Sequence, residues 1–468
     1  MEIAANPPLT DARPATRRGE LSALTRLAAP LVAANLLQMG VYAVDVIFVA
    51  RLGPVELAAS TLGIFLYTLA MWGLIGLTGA CAPLIAAELG RRRHAVRQVR
   101  RSFRMAMWLG VIAALPFAIL MAFGETILRA AGQDALVAQR AGAFLDILLF
   151  ALVPSVLAGV MRTTAAALGR PGWAMIVTAL ALAVSVLTNW CLVFGNAGFP
   201  ALGLEGSALA SLVTTLVMTL AYAAILRGDR RLRRYRLFGR WWQTEWSRMA
   251  QIVRLGVPIA LTMTFESALF GGAAILMGLI GVAEVAAHAV ALNIAAVAFQ
   301  IPLGVAQAAT IRVGMAYGAG DPGWVARAGN VAIVLGIAVM AATATAIWAM
   351  PLPFIGAYLD LGDAANAPVI ALALDFLIVA AIFQLLDGAQ VVTAGVLRGL
   401  QDTRVPMFVA LFGYWVVGFG TSILLGFQAG LGGLGIWIGL AVGLLAVSLL
   451  LLWRWRAREP LGLLPRTC

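Results

Sequence analysis

The chain contains no lysine; all 33 of its basic residues are arginine. That absence excludes a Walker A phosphate loop, which needs its lysine, and Schiff-base or kinase-type lysine chemistry. Histidine is nearly as scarce, with only His94 and His288. With these two histidines the sequence shows no His-Glu-x-x-His motif and no Ser/His/Asp constellation, so no enzyme is expected. The three cysteines, Cys81, Cys191 and Cys468, are two in apolar runs and one at the last position, which is neither a disulfide framework nor a metal spacing. Charge is also short: 12% of residues are charged and 62% hydrophobic, against roughly 25% and 45–50% in soluble domains. A soluble globular or disordered chain is thereby excluded. The first twenty residues are polar, with Pro7, Pro8 and Pro14. Arg17 and Arg18 then lead into a long apolar run without the short core and cleavage site of a signal peptide. Residues 1–27 read as a retained cytoplasmic tail.

What remains is apolar sequence in long blocks. A membrane helix takes about 20 apolar residues, and twelve spans follow, at roughly 28–50, 56–83, 103–123, 138–162, 171–195, 203–226, 252–280, 285–309, 327–350, 368–394, 406–427 and 432–454. No connection is long enough for a soluble catalytic domain. Alternate connections hold every arginine except Arg51, Arg129 and Arg140. This bias predicts a multi-pass protein of the plasma (inner) membrane with both termini cytoplasmic, 455–468 being the C-terminal tail. The net charge of +12 is then a topology signal rather than a mark of nucleic-acid binding. Arg91-Arg92-Arg93 and the Arg230 to Arg240 stretch suit anionic lipid headgroups, and Trp241, Trp242 and Trp246 suit an interfacial helix.

The two halves match. Arg26-Leu27, Pro30, Gly53 and Glu56 coincide with Arg254-Leu255, Pro258, Gly281 and Glu284 at one offset, and a shift one residue longer places Asp146 on Asp375. Six spans per repeat is an even number, so both halves start on the same side. The expected fold is therefore all-α, with twelve transmembrane helices in two parallel six-helix repeats around a central cavity. The N-lobe is 28–226, the basic cytoplasmic linker 227–251 and the C-lobe 252–454. Such repeats are typical of transporters.

A charge at mid-membrane costs about 2.5–3.5 kcal/mol on insertion scales, so each intramembrane acid needs a reason. Asp45 lies within span 1, either as a protonatable carboxylate facing a cavity or as a hydrogen-bonding group between helices. Glu266 lies in the middle of span 7 and Asp387 in the inner half of span 10, and neither has an arginine within a helical turn. A shared cation or proton would relieve their burial; permanently protonated contact acids are the alternative. Asp146 and Asp375 read as acids near helix starts, stabilised by the dipole, as do Glu56 and Glu284. Asn189 and Asn293 are either ligands or interhelical hydrogen-bonding groups. His288 has no second histidine near it in sequence and His94 reads as solvated.

The stretch PLVAANLLQMGVYAVDVIFVARLGPVELAASTLG (30–63) resembles the first-helix signature of the multidrug and toxic compound extrusion (MATE) transporters. So does PIALTMTFESALFGGAAILMGLIGVAEVAAHAVALN (258–293) in the second half, and IPLGVAQAATIRVGMAYGAGD (301–321) and AGVLRGLQDTRVPM (394–407) resemble the family's later motifs. Phe265-Glu266 and FQLLDGAQ around Asp387 look most like the NorM branch. The resemblance implies that Asp45 belongs to a cation- or proton-responsive site with Asn189 as polar partner, and that Glu266 and Asp387 form a cation site able to take Na⁺. Other branches carry a second acid one turn beyond Asn189, where this chain has Val193. Some sodium-coupled members carry a tyrosine one turn before the span-10 acid, where this chain has Phe383, which moves the expectation toward H⁺.

The implied function is a secondary antiporter, with no cofactor, that exports cationic, partly apolar small molecules in exchange for H⁺ or Na⁺. It is expected to act as a monomer among membrane lipids. A lipid-linked precursor flippase of the same superfamily is the alternative, disfavoured because such a protein would want basic residues at mid-span.

Overall fold

Apolar runs of twenty or more residues leave the backbone no partner but itself, so helix is the form they take in lipid. The computed structural model describes residue 14, residues 16–91 and residues 95–464. Among these residues there is no strand, and twelve helices are long and apolar enough to cross a membrane. They are α1 (Arg17–Ala50), α2 (Pro54–Arg91), α3 (Ala95–Ala122), α4 (Ala135–Ala167), α5 (Gly172–Phe194), α6 (Gly203–Gly228), α7 (Trp246–Ile280), α8 (Val282–Gly318), α9 (Pro322–Ala349), α10 (Ala364–Gly399), α11 (Arg404–Gln428) and α12 (Gly432–Arg456). His94, Arg92, Arg93 and Cys468 lie outside the described residues.

The helices begin where local chemistry starts them. Pro54 and Pro322 occupy first-turn positions, where the missing N–H costs nothing. Asp134 caps α4, accepting from the amides of Leu136 (2.9 Å) and Val137 (3.2 Å). That corrects the reading of Asp146: the cap belongs to Asp134, and Asp146 is an exposed residue three turns into α4. Asp375 is likewise exposed and beyond the first turn of α10, whereas Glu56 and Glu284 do sit in first turns.

Helix α1 also begins earlier than hydropathy indicated, at Arg17 rather than near residue 28. The charged opening turns are helical because they are packed: Leu24 and Ala28 are buried. Glu20, 1% exposed, receives Arg312 in two bonds of 2.7 Å and the Trp324 indole at 3.1 Å. A hydropathy scan scores Glu20 as solvated; the fold pairs it.

The chain divides into two compact units, Ala33–Leu261 on the one hand and the residues up to Val32 with Thr262–Cys468 on the other. The divisions fall inside α1 and inside α7. Within the first unit, Leu74, Phe144, Leu145, Leu152 and Ala208 belong to one buried cluster joining α2, α4 and α6. Within the second, α8 and α10 approach until backbones touch. A Cβ on Gly395 would lie 2.6 Å from the Ala306 carbonyl oxygen, and Thr310 donates to the Gly395 carbonyl at 2.8 Å. Small residues at such crossings let dispersion act where lipid offers no hydrophobic drive. Helix α11 is π-helical over Phe412–Phe419 and Leu424–Gln428.

The stretch between α6 and α7 is a docked loop with one 3₁₀ turn, Arg233–Tyr235; of the tryptophans expected on an interfacial helix, Trp241 and Trp242 lie in the loop and Trp246 opens α7. Leu232, Tyr235 and Leu237 are buried, while Arg230, Arg231, Arg233, Arg234, Arg236 and Arg240 point outward. Trp242 is 80% exposed, but Trp241 stacks with Phe238 and lends its carbonyl to Trp108. The loop's two acids pin its ends. Glu245 takes Arg101 and Arg104. Asp229 takes Arg170 (2.6 Å), the Trp173 indole (2.9 Å) and its own Asx turn to the Arg231 amide (2.8 Å). Burial opposes the Asp229 charge, but the Trp173 and Arg170 hydrogen bonds outweigh it and bring the carboxyl down to about 2. A depressed carboxyl contributes stability above its unfolded value, about 3.9, and loses it as pH falls through the folded one. The melting-temperature gap between the parent protein and Asp229→Asn should therefore be full above pH 4 and close toward pH 2. A gap that ignores pH would refute this account of the clamp.

Candidate functional site

Asp45 is 8% exposed within α1. Its partners come from two other helices. Ser185 and Asn189 stand four residues apart on one face of α5, the spacing that aligns side chains along a helix. Asn189 Nδ2 donates to Asp45 Oδ1 at 2.7 Å and Ser185 Oγ to the same oxygen at 3.3 Å. Ser211 Oγ, on α6, donates to Oδ2 at 3.0 Å. The carboxylate thus has uncharged donors on both oxygens and no ion pair among the described residues. Asn189 is fully buried, and its Oδ1 has no hydrogen-bond partner. An orphaned acceptor beside a carboxylate fits a site that is completed by a proton or a cation. Of the expected residues, the structure brings Asp45 and Asn189 together and adds Ser185 and Ser211. Serine in apolar helices is too common to have been singled out.

Glu266 on α7 and Asp387 on α10 lie within electrostatic range of each other. No hydrogen bond holds either carboxylate among the described residues, and Asp387 is 5% exposed. Neither acid has an arginine within a helical turn along the sequence and neither is ion-paired among the described residues; Arg398, three turns beyond Asp387 on α10, acts on Glu266 only electrostatically. A signal for it was present. AGVMR (158–162) and AGVLR (394–398) are near-identical stretches ending in arginine. Arg162 hydrogen-bonds Asn35.

Phe383 is buried among Phe270 (6.0 Å between centroids) and Trp437 (5.8 Å). His288 packs tilted against the same Trp437 at 5.6 Å between centroids, with both ring nitrogens unpartnered. Asn293 is exposed and gives its amide to the Ala289 carbonyl of its own helix at 2.8 Å, so no hydrogen bond ties it to the acids. Among the described residues no three His, Cys, Asp or Glu side chains gather as a metal cluster.

Two acid sites on long apolar helices are what a membrane transporter would need, and comparison with known proteins agrees. A family model described as MatE matches residues 30–191 and 258–424, well over half of the chain. The chain belongs to the MatE family. Membership makes it a multi-pass membrane transporter rather than an enzyme. Among curated relatives, the probable multidrug resistance protein NorM of Mesorhizobium japonicum is 47% identical over 442 residues, 94% of this chain and 95% of that one. The protein of the same name from Brucella suis is 44% identical over 437 residues, 93% of each chain. Among solved structures, the outward-facing conformation of a multidrug resistance MATE family transporter superposes with a TM-score of 0.88. It covers 99% of this chain and 100% of that one at 20% identity, a likeness of fold alone. Within the MatE family match, the first segment contains Asp45, Ser185 and Asn189, and the second contains Glu266, Asp387 and Arg398.

Proposed function

We propose that this MatE-family chain is a secondary multidrug antiporter of the plasma membrane, exporting cationic, partly apolar organic compounds in exchange for H⁺ or Na⁺. The observation that carries the proposal is the Asp45 carboxylate, almost fully buried in a membrane helix with only neutral partners. A charge so placed is costly and is relieved by whatever positive species reaches it. A proton and a cationic drug then compete for one negative site. Loading from the outside displaces the drug, and the neutralised site returns inward. The names of the NorM relatives support a role in multidrug resistance. In this reading the lobes are 28–226 and 252–454, two parallel repeats joined by the basic segment 227–251 around a central cavity. Both termini are cytoplasmic, and the chain works as a monomer. The gradient supplies about 2.3 kcal/mol per charge per 100 mV, and each 1.4 kcal/mol sustains about a tenfold concentration ratio.

One observation favours the flippase alternative: Arg398, inside α10, forms no ion pair among the described residues and would suit a phosphate. The same assay separates the two readings. Purified protein in proteoliposomes is given a fluorescent organic cation, with pH and sodium gradients imposed separately. Efflux under one gradient, abolished in Asp387→Asn with insertion intact, is the expected result. Gradient-independent movement of a labelled lipid pyrophosphate, with no movement of the dye, would overturn it.

A further inference from the structure

The loop between α6 and α7 carries more positive charge than its packing uses. Its six outward arginines and Arg227, in the last turn of α6, are all exposed. None of them forms an ion pair among the described residues. The two acids of the stretch are turned inward and hold arginines of other elements: Asp229 holds Arg170, and Glu245 holds Arg101 and Arg104. Other helix ends are treated differently, for Arg312 is answered by Glu20 and Arg454 by Asp402. A bias of arginine toward one side of the membrane accounts for the presence of these residues. It does not account for a surface from which both carboxylates of the loop have been withdrawn. We propose that this surface binds the headgroups of anionic phospholipids in the leaflet that the adjoining ends of α6 and α7 reach. The inference goes beyond the antiport reading and does not rest on it.

The local structure holds these cations outward. Leu232, Tyr235 and Leu237 are buried and fasten the loop, and the arginines fall between them. The chain reverses at Arg236 and Arg240, whose backbones are left-handed (φ 45° and 55°), a conformation unfavourable to residues that carry a Cβ. Two guanidiniums are set in place by rings. Arg227 lies over Phe238, 4.4 Å from its centroid, and Phe238 is itself held edge-on by the buried Phe103 at 5.5 Å. Arg234 lies over Tyr235 at 4.9 Å and donates to its hydroxyl at 2.9 Å. A ring orients a guanidinium without cancelling its charge. The positive charge therefore stays available to phosphate oxygens, which a guanidinium can take two at a time.

Position selects lipid over a soluble anion. The loop joins two membrane helices, so it lies at the boundary between water and lipid. Trp242 and Trp246 are 80% and 67% exposed, and indoles settle at headgroup depth. Exposed indoles beside uncompensated guanidiniums match a layer of phosphates above a layer of acyl chains. A free phosphate would use the arginines and leave the indoles in water. Basic segments next to membrane spans are drawn to anionic leaflets within a Debye length.

The test is lipid binding by the purified full chain in neutral detergent. Native mass spectrometry gives apparent dissociation constants for short-chain phosphatidylglycerol and phosphatidylcholine. The parent protein should bind phosphatidylglycerol roughly tenfold more tightly. Arg230→Gln, Arg231→Gln, Arg233→Gln and Arg236→Gln together should bring that ratio close to one. These four side chains are exposed, so gel filtration should show the variant folded and monodisperse. Arg51→Gln with Arg140→Gln is the control. It removes two exposed arginines at the other end of the helices, where Arg140 and Leu52 lie beside Gly203 at the start of α6, and should leave the ratio unmoved. In the parent protein itself, more ammonium acetate should narrow the ratio, because salt screens exposed charges. Equal binding of the two lipids by the parent protein, a ratio indifferent to salt, a ratio unchanged in the four-arginine variant, or an equal fall in the control would each overturn the proposal. Displacement of the lipid by inorganic phosphate at matching concentration would overturn it in favour of a free-phosphate site. An oligonucleotide that binds more tightly than the lipid would overturn it in favour of nucleic acid.

Discussion

Asp45→Asn should cut gradient-driven efflux of an organic cation by on the order of 100-fold or more while leaving the protein folded and inserted. The size follows from the charge. Two unit charges 4 Å apart interact by about 4 kcal/mol at an effective dielectric near 20, which is close to three decades in affinity. Asparagine keeps the shape: its oxygen can still accept from Asn189 and Ser185, and its amide can donate to the Ser211 hydroxyl, so folding should suffer little. It takes away the charge over which drug and coupling ion compete. The neighbours should grade the effect. Ser211→Ala removes one neutral donor and should cost about tenfold or less, in line with a single net hydrogen bond. The check is the initial efflux rate from proteoliposomes under a fixed gradient, with far-UV circular dichroism and gel filtration of each variant. Parental efflux from a well-folded Asp45→Asn protein would remove Asp45 from the mechanism and leave Glu266 and Asp387 to carry it.

The second large effect is expected on stability. Glu20→Ala should destabilise the protein by about 3–5 kcal/mol, the usual result of leaving one member of a buried ion pair alone. The abandoned partner is Arg312, 3% exposed, which donates both of its bonds to Glu20 and stacks over Trp324 at 5.3 Å. The opening turns of α1 would lose their anchor to α8 and α9. Replacing both members, as in Glu20→Met with Arg312→Leu, should cost much less than either truncation, because no stranded charge remains. Thermal unfolding in detergent, followed by tryptophan emission, measures this. Equal melting temperatures for Glu20→Ala and the parent protein would show that water reaches Arg312.

The other unit holds a counterpart. Arg248, at the start of α7, donates to Glu88 at 3.3 Å, to Ser102 at 2.6 Å and to Gln251 at 2.7 Å. Glu20 and Arg248 coincide at the offset that superposes Pro30 on Pro258. Helices α1 and α7 are thus fastened at matching positions with the charges exchanged, an acid on α1 meeting an arginine and an arginine on α7 meeting an acid.

What could be read from the amino acids alone was whatever follows from composition and one-dimensional pattern. Twelve apolar blocks had to be helices, because lipid offers the backbone no other partner. Acids within those blocks had to be few and answerable to a specific need, because burying charge is expensive; Asp45, Glu266 and Asp387 stood out on that ground. What escaped the sequence depends on which faces meet. Glu20 lies in the stretch read as a cytoplasmic tail, and only α8 and α9 supply its partners Arg312 and Trp324. Asp146 looked like a helix-start acid until the helix was seen to start at Asp134. The uncharged partners Ser185 and Ser211 carry no local mark, since serine is ordinary in such helices. Only the packing of α5 and α6 on α1, and of α7, α11 and α12 around α10, decides which of their polar atoms are paired and which are not. Hydrogen-bond satisfaction is a property of three-dimensional neighbours, and for this protein it is the tertiary structure that separates paired buried polar groups from unpaired ones.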